Sequence, residues 1–256
     1  MKTKAEITAN WLPRYTGVAV DEMSDYVLLT NFNEYLHRFV AMTGGHIVDA
    51  NRSMPSAQGQ GMTLINFGMG SPNAATVCDL LSVVQPKAIL FLGKCGGLRE
   101  RTKVGDFILP IGAIRGEGAS DSYFPSEVPS LPAFMLQRAT SHIIRNRNLD
   151  YWTGTVYTTN RRVWEHDEEF KEYLRVIRAL AIDMETATLF SAGFHNRLNL
   201  GALLLVSDQP MTPEGVKTSD SDAKVSSDYV GTHISIGIET LEEIMNQGLS
   251  VRHLKF

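Results

Sequence analysis

A single α/β domain, built on a central mixed β-sheet with helices on both faces, is predicted by three features of this sequence. Apolar runs at residues 26–30, 88–92 and 200–206 are continuous and end in turn residues, as strands buried on both faces do. Helix-forming stretches separate these runs, the alternation expected of a doubly covered sheet. No internal repeat or low-complexity linker divides the 256 residues, a length that one large domain accommodates.

Taken in order, residues 1–24 mix polar and apolar types around Trp11, Pro13 and Tyr15. They predict an arm packed on the core or on a neighbouring subunit, with the domain proper over 25–256. Residues 26–30 predict a buried strand, and 31–43 an amphipathic helix ended by Gly44-Gly45. Strands are expected at 46–52 and 62–67, separated by the polar turn Gln58-Gly59-Gln60-Gly61. Gly68-Met69-Gly70-Ser71-Pro72-Asn73 then leads into a helix over 74–84. The run 88–92 ends in the Gly-rich turn Gly93-Lys94-Cys95-Gly96-Gly97, and 107–114 predicts another strand. Residues 115–132 carry glycines, serines and prolines around Tyr123 and Phe124, and read as a long functional loop. A helix over 131–146, a strand over 151–157 and a helix over 167–178 follow. After the apolar run into Asp183 come a helix over 185–192 and the strand 200–206, which closes on Ser207-Asp208. A polar loop (209–222) and a helix over 223–245 complete the order.

Composition narrows the function. A net charge of −4 argues against a general nucleic-acid binder, while leaving room for a local Lys/Arg cluster on a small anion. Cys78 and Cys95 have the spacing of neither a metal site nor a disulfide framework, which fits a reducing compartment. The seven histidines form no HxxxH or HxH pair, so neither a metal nor another cofactor is expected. No apolar run reaches membrane-spanning length, and Met1-Lys2-Thr3-Lys4 opens no apolar leader. The expectation is a cytoplasmic protein without membrane contact.

Chemistry concentrates in Ala181-Ile182-Asp183-Met184-Glu185-Thr186-Ala187, where two carboxylates bracket a methionine at a strand-to-helix junction. Buried carboxylates are costly unless something binds them. Methionine offers a soft apolar surface and glutamate offers acceptors, a pairing suited to a sugar's ring face and hydroxyls. Equally, acids at a helix start complement its dipole. Four further segments follow apolar strands: Asn31, residues 68–72, residues 93–97 and Ser207-Asp208. Ligands of open α/β sheets bind beyond the carboxyl ends of strands, so convergence of these segments beside Met184 and Glu185 would build one cleft. Neither GxGxxG nor GxxxxGK[ST] is present. Asp208 fits two roles, a turn cap or a buried acid that donates a proton.

In this order and spacing, Gly68-Met69-Gly70-Ser71-Pro72, Gly93-Lys94-Cys95-Gly96-Gly97, Asp183-Met184-Glu185-Thr186-Ala187 and Val206-Ser207-Asp208 resemble the nucleoside phosphorylase and nucleosidase superfamily. The likeness covers residues 26–245 and implies that superfamily's three-layer fold. Within it, Arg115-Gly116-Glu117-Gly118 with Tyr123-Phe124-Pro125, Thr159-Asn160-Arg161-Arg162 and Gly215-Val216-Lys217-Thr218 resemble the branch that hydrolyses AMP to adenine and ribose 5-phosphate.

The resemblance implies roles. Asp208 shares a proton with N7 of the leaving purine, Glu185 holds the ribose hydroxyls, and Met184 packs on the sugar. Asp183 stands where many relatives carry a glutamate. Gly70, Ser71 and Gly93 belong to the binding motifs, and Tyr157, Trp164 and Phe124 are candidates to stack on the base. Places that hold phosphate in phosphorylases fall on Asn31, Phe91 and Lys94. An apolar ring cannot replace an arginine's bidentate anion contact, so water is the expected nucleophile. Arg161 and Arg162, supplemented by Lys94 and Lys217, would clasp a 5′-phosphate. Glu34 lies near the catalytic glutamate of hydrolytic relatives, although the ungapped match is Tyr35; it reads as a surface carboxylate, and Lys224 as a surface lysine. A homohexamer in purine salvage is implied, with the arm and the Tyr123 loop at subunit contacts. The lead is too short for the N-terminal regulatory domain of larger relatives. Two alternatives are a phosphorylase or nucleosidase acting on an unphosphorylated nucleoside, and a sensor that binds purine nucleotides without cleaving them.

Overall fold

The structure, a computed structural model, describes residues 1–247. Positions 248–256 of the expected domain lie outside the described residues. The order is α1 (Lys4–Thr16), β1 (Tyr26–Thr30), α2 (Asn33–Thr43), β2 (His46–Ile47), β3 (Ser56–Gly59), β4 (Met62–Asn66), α3 (Ser71–Leu81) and β5 (Ala88–Gly97). Then come β6 (Phe107–Gly116), α4 (Phe134–Asn146), β7 (Trp152–Thr159), α5 (Glu168–Val176), β8 (Ala181–Asp183), α6 (Thr186–His195), β9 (Leu200–Asp208) and α7 (Ser219–Gln247).

These strands make one mixed sheet in the order β2-β3-β4-β1-β5-β8-β7-β6-β9. β1 runs parallel to both β4 and β5, and β5 runs parallel to β9. Because β5 pairs with β9 as well as with β8, one half of the sheet closes into a ring around β5, β8, β7, β6 and β9. The other half stays open. β5 is the hub, and its ten residues are all buried.

The continuous apolar runs are explained by two packed faces. Along β1 and β5, Val27, Leu29, Ile89 and Phe91 face a core shared with Leu12 of α1, Val77 of α3 and Phe190 of α6. Leu28, Leu90 and Leu92 alternate to the other face, against Phe39 of α2, Leu136 of α4 and Ile234 of α7. A period of two with apolar residues at both phases is what a doubly covered strand requires.

The arm of residues 1–24 contains a helix, started by a Thr3–Glu6 capping box and ended by Gly17 in the left-handed region. It packs on the core: Leu12 is fully buried, and Lys4 donates to Asp79 and Asn196. The strand expected at 46–52 is only two residues long, and Ser56–Gly59 pairs with β4 instead. Gln58 and Gly59 therefore belong to a strand, and the turn narrows to Gln60-Gly61, both at positive φ, a two-residue hairpin connection. Residues 93–97 are not a turn either. They continue β5 as glycine-rich strand because neighbours crowd it, a Cβ on Gly93 falling 2.4 Å from Phe91 Cζ. α3 and α7 each begin several residues earlier than the hydrophobic pattern suggests, at Ser71 and Ser219, and α3 stops at Leu81.

Candidate active site

Strands β1, β5, β7, β8 and β9 direct their carboxyl ends at one cavity of about 120 Å³. Asn31 and Phe32 reach it from β1, Lys94 from β5, Arg161, Arg162 and Trp164 from beyond β7, Asp183–Glu185 from β8, and Ser207-Asp208 from β9.

The two acids of the β8–α6 junction divide the roles that the heptapeptide left open. Asp183 accepts from the Thr158 hydroxyl at 2.7 Å, the Thr186 backbone N–H at 2.8 Å and the Thr186 hydroxyl. It anchors the first turn of α6, the helix-start role. Burial pushes its carboxyl up, while these hydrogen bonds pull it back. Glu185, 2% exposed, accepts from Gly70 N–H at 2.7 Å and Met184 N–H at 3.3 Å. Burial first, and then the neighbouring Asp183 charge, push its carboxyl up to about 8. The Asn31 side chain, which also lines the cavity, adds a hydrogen bond that opposes the shift.

Asp208 ends β9 with a 13% exposed side chain. Ser207 Oγ donates to its Oδ1 at 2.7 Å, and Lys217 Nζ stands 3.9 Å away. Burial raises its pKa; Ser207, Lys217 and Arg162 oppose that, and Glu165 reinforces it. A carboxyl so placed keeps its proton to higher pH than an exposed aspartate and can donate it.

Four cationic side chains line the same cavity, each with a carboxylate partner. Lys94 bonds Asp222 at 3.1 Å and Ser226 at 2.9 Å, and lies 4.6 Å from the Phe32 ring centre. Arg161 pairs with Asp167 at 2.8 Å and covers Phe170; Arg162 pairs with Glu165 at 3.4 Å; Lys217 approaches Asp222 at 3.4 Å.

Several expected binding residues stand elsewhere. Gly70 and Ser71 support the β8–α6 junction rather than line the cavity: Gly70, at φ +95°, turns its N–H to Glu185, and Ser71 Oγ donates to the Met184 carbonyl at 2.6 Å. Gly93 is buried within β5 against Phe91 and Leu204. Tyr157 is not a lining residue; it packs edge-on to Phe170 and Tyr173 and fills the space left by Gly116. Phe124 packs on Phe194 and His195. Glu34 pairs with Arg38 outside the cavity. The Arg115 guanidinium holds its own loop, bonding Ser120, Asp121 and the Phe124, Pro125 and Val128 carbonyls. Sequence reasoning missed Phe32, Met69, Glu165 and Pro210, all lining residues. Glu165 had a readable signal, since it follows Arg161-Arg162 in the same post-strand segment. Among the described residues, no group of three or more His, Cys, Asp or Glu is arranged to hold a metal, and no helix is long and apolar enough to cross a membrane.

With this geometry in view, the family model described as the phosphorylase superfamily matches residues 13–242. The chain belongs to the phosphorylase superfamily. Among superfamily members, the AMP nucleosidase of Escherichia coli K12 is 30% identical over 283 aligned positions, covering 93% of this chain and 58% of that protein. This chain thus spans little more than half the length of that relative. A crystal structure of AMP nucleosidase from Bacteroides thetaiotaomicron is 52% identical, with a TM-score of 0.86, covering 95% of this chain and 98% of that one. A uridine phosphorylase structure from Vibrio fischeri, 22% identical with a TM-score of 0.79 over 88% of this chain and 95% of that one, shares the superfamily fold.

Proposed function

We propose that this protein hydrolyses the N-glycosidic bond of AMP, giving adenine and ribose 5-phosphate. The observation that carries the reading is that Asp208 and Glu185, carboxyls on separate strand ends, face one cavity ringed by Lys94, Arg161, Arg162 and Lys217. Those cations suit a substrate bearing a phosphate dianion. The likeness to AMP nucleosidases of two organisms supports the same substrate.

As the C1′–N9 bond breaks, its electron pair moves into the purine, which takes the Asp208 proton at N7. Positive charge grows on the ribose, where Glu185, which must first give up its proton to solvent, holds the hydroxyls as a carboxylate and stabilises that charge. Water bonds to C1′, and the proton it releases restores the Asp208 carboxyl. Met184 lies against the sugar face. Phosphate is a poor competitor as nucleophile here. Phe91 is fully buried against Phe67 and offers no donor.

The same reading takes residues 1–24 as an arm on the catalytic domain of a cytoplasmic homohexamer in purine salvage. Exposed Ile111 on β6, and Leu131 and Phe134 at the start of α4, support self-association. Incubation with AMP in phosphate-free buffer, following adenine by chromatography, tests the central claim. Adenine release without added phosphate is expected; a folded protein that binds AMP and releases none is a sensor, and the proposal fails. Turnover of adenosine as fast as AMP would reassign the protein as a nucleosidase.

A further inference from the structure

We propose that Glu165 is the residue that selects a 6-aminopurine over a 6-oxopurine in this cavity, an inference resting on the purine-ribonucleotide reading above. Glu165 lies between β7 and α5, lines the cavity with Asp208, and has a 16% exposed side chain. Its oxygens are held in place without being used up. Oε1 faces Arg162 Nη1 at 3.4 Å, a long contact, and Oε2 accepts the Trp164 backbone N–H at 2.9 Å. A carboxylate has about four acceptor positions, so capacity for another donor remains. The Trp164 side chain, 4% exposed, limits water around it.

Glu165 and Asp208 feel each other's charge, and the Glu165 carboxylate favours the protonated form of Asp208. The cavity lining therefore offers both a donor, the Asp208 carboxyl, and an acceptor, the Glu165 carboxylate. Adenine presents the complementary edge, with N7 an acceptor and the 6-amino group a donor. A 6-oxopurine presents two acceptors there. Its O6 would face a carboxylate, and neither oxygen would have a hydrogen to share. Sites built to bond a particular donor reject analogues lacking it far more strongly than apolar pockets reject a change of size.

The test is kcat/KM for AMP and for IMP in the wild type, Glu165→Gln and Glu165→Ala, with thermal unfolding as the control for folding. Wild type is expected to favour AMP by roughly a hundredfold or more. Glutamine keeps the size of glutamate but has an amide N–H that can donate to O6, so Glu165→Gln should gain on IMP while losing on AMP. The ratio should narrow by about tenfold or more. Glu165→Ala should lose AMP turnover without gaining IMP. An unchanged AMP-to-IMP ratio in Glu165→Gln, or an equal fall for both substrates in both variants, overturns the assignment and leaves AMP hydrolysis standing. If folded wild type cleaves no purine ribonucleotide, the underlying reading fails instead.

Discussion

At the β8–α6 junction, carboxylates are held by backbone N–H groups and buried hydroxyls, whereas at the rim beyond β7 and β9 charged side chains hold one another. Glu185 takes its hydrogen bonds from Gly70 and Met184 N–H, and Asp183 from Thr158 and Thr186. Beyond β7, Arg161–Asp167 and Arg162–Glu165 are ion pairs whose arginines are about half exposed. Exposed pairs contribute about 0–1 kcal/mol, so exchanging Asp167 for a substrate phosphate at Arg161 costs little. A buried acid held by backbone cannot be re-aimed without moving the fold. On the proposed reading, the rim admits and selects substrate while the junction holds the ribose in fixed register.

That contrast breaks most visibly at Asp208. Asp208→Asn keeps the shape and the Ser207 contact but has no proton to transfer, so kcat for AMP should fall by about 10²–10⁴-fold. Bound AMP should still be detectable by calorimetry. An unchanged kcat would remove Asp208 from the chemistry. Next in size is Glu185→Gln, for which a loss of about a hundredfold is expected, because the neutral amide no longer stabilises positive charge on the ribose. It also carries an opposite effect on stability. Between the ordinary glutamate value of 4.5 and the raised value of about 8, the folded protein binds more protons than the unfolded chain. Stability of the unliganded wild type therefore declines as pH rises through that window. Glu185→Gln has no such proton to lose, so its Tm should exceed that of the wild type at pH 8 and approach it near pH 5. Equal pH slopes of Tm in the two proteins would show that Glu185 titrates normally.

The same contrast explains what the sequence could show. Strands buried on both faces announce themselves by composition, so β1, β5 and β9 are legible, as is the convergence of their ends at Asn31, Lys94 and Asp208. Acids at a strand-to-helix junction are legible too, but not which acid serves the helix. That depends on Thr158 and Gly70, brought in from β7 and the start of α3. Glycine misleads at residues 93–97, where it relieves crowding inside a strand rather than making a turn. Tyr157 misleads for a related reason, since an aromatic near a site carries the same letters whether it faces ligand or core. Its packing against Phe170 and Tyr173 is set by α5, a partner that local pattern does not reveal.

At the rim the effects should be smaller and more selective. Arg161→Ala should raise KM for AMP by about tenfold, the loss of one charge-assisted contact to phosphate, while adenosine turnover stays as it is. Equal losses on AMP and adenosine would place Arg161 at the base rather than at the phosphate.

The smallest effect is expected from Lys217, and it separates the two regions most sharply. Its ammonium stands 3.9 Å from Asp208 Oδ1, beyond hydrogen-bond length, and is shared with Asp222 at 3.4 Å. A cation there favours the ionised form of Asp208, so it works against the proton that the reaction needs. Removing it should let Asp208 keep that proton to higher pH. In Lys217→Ala the alkaline limb of kcat/KM should therefore move upward, most clearly with adenosine, where phosphate binding does not enter. The acid limb should not move, because Glu185 is fixed by backbone donors that Lys217 does not touch. A downward shift of the alkaline limb, or a shift of both limbs together, would mean that the rim and the junction titrate as one unit rather than as two.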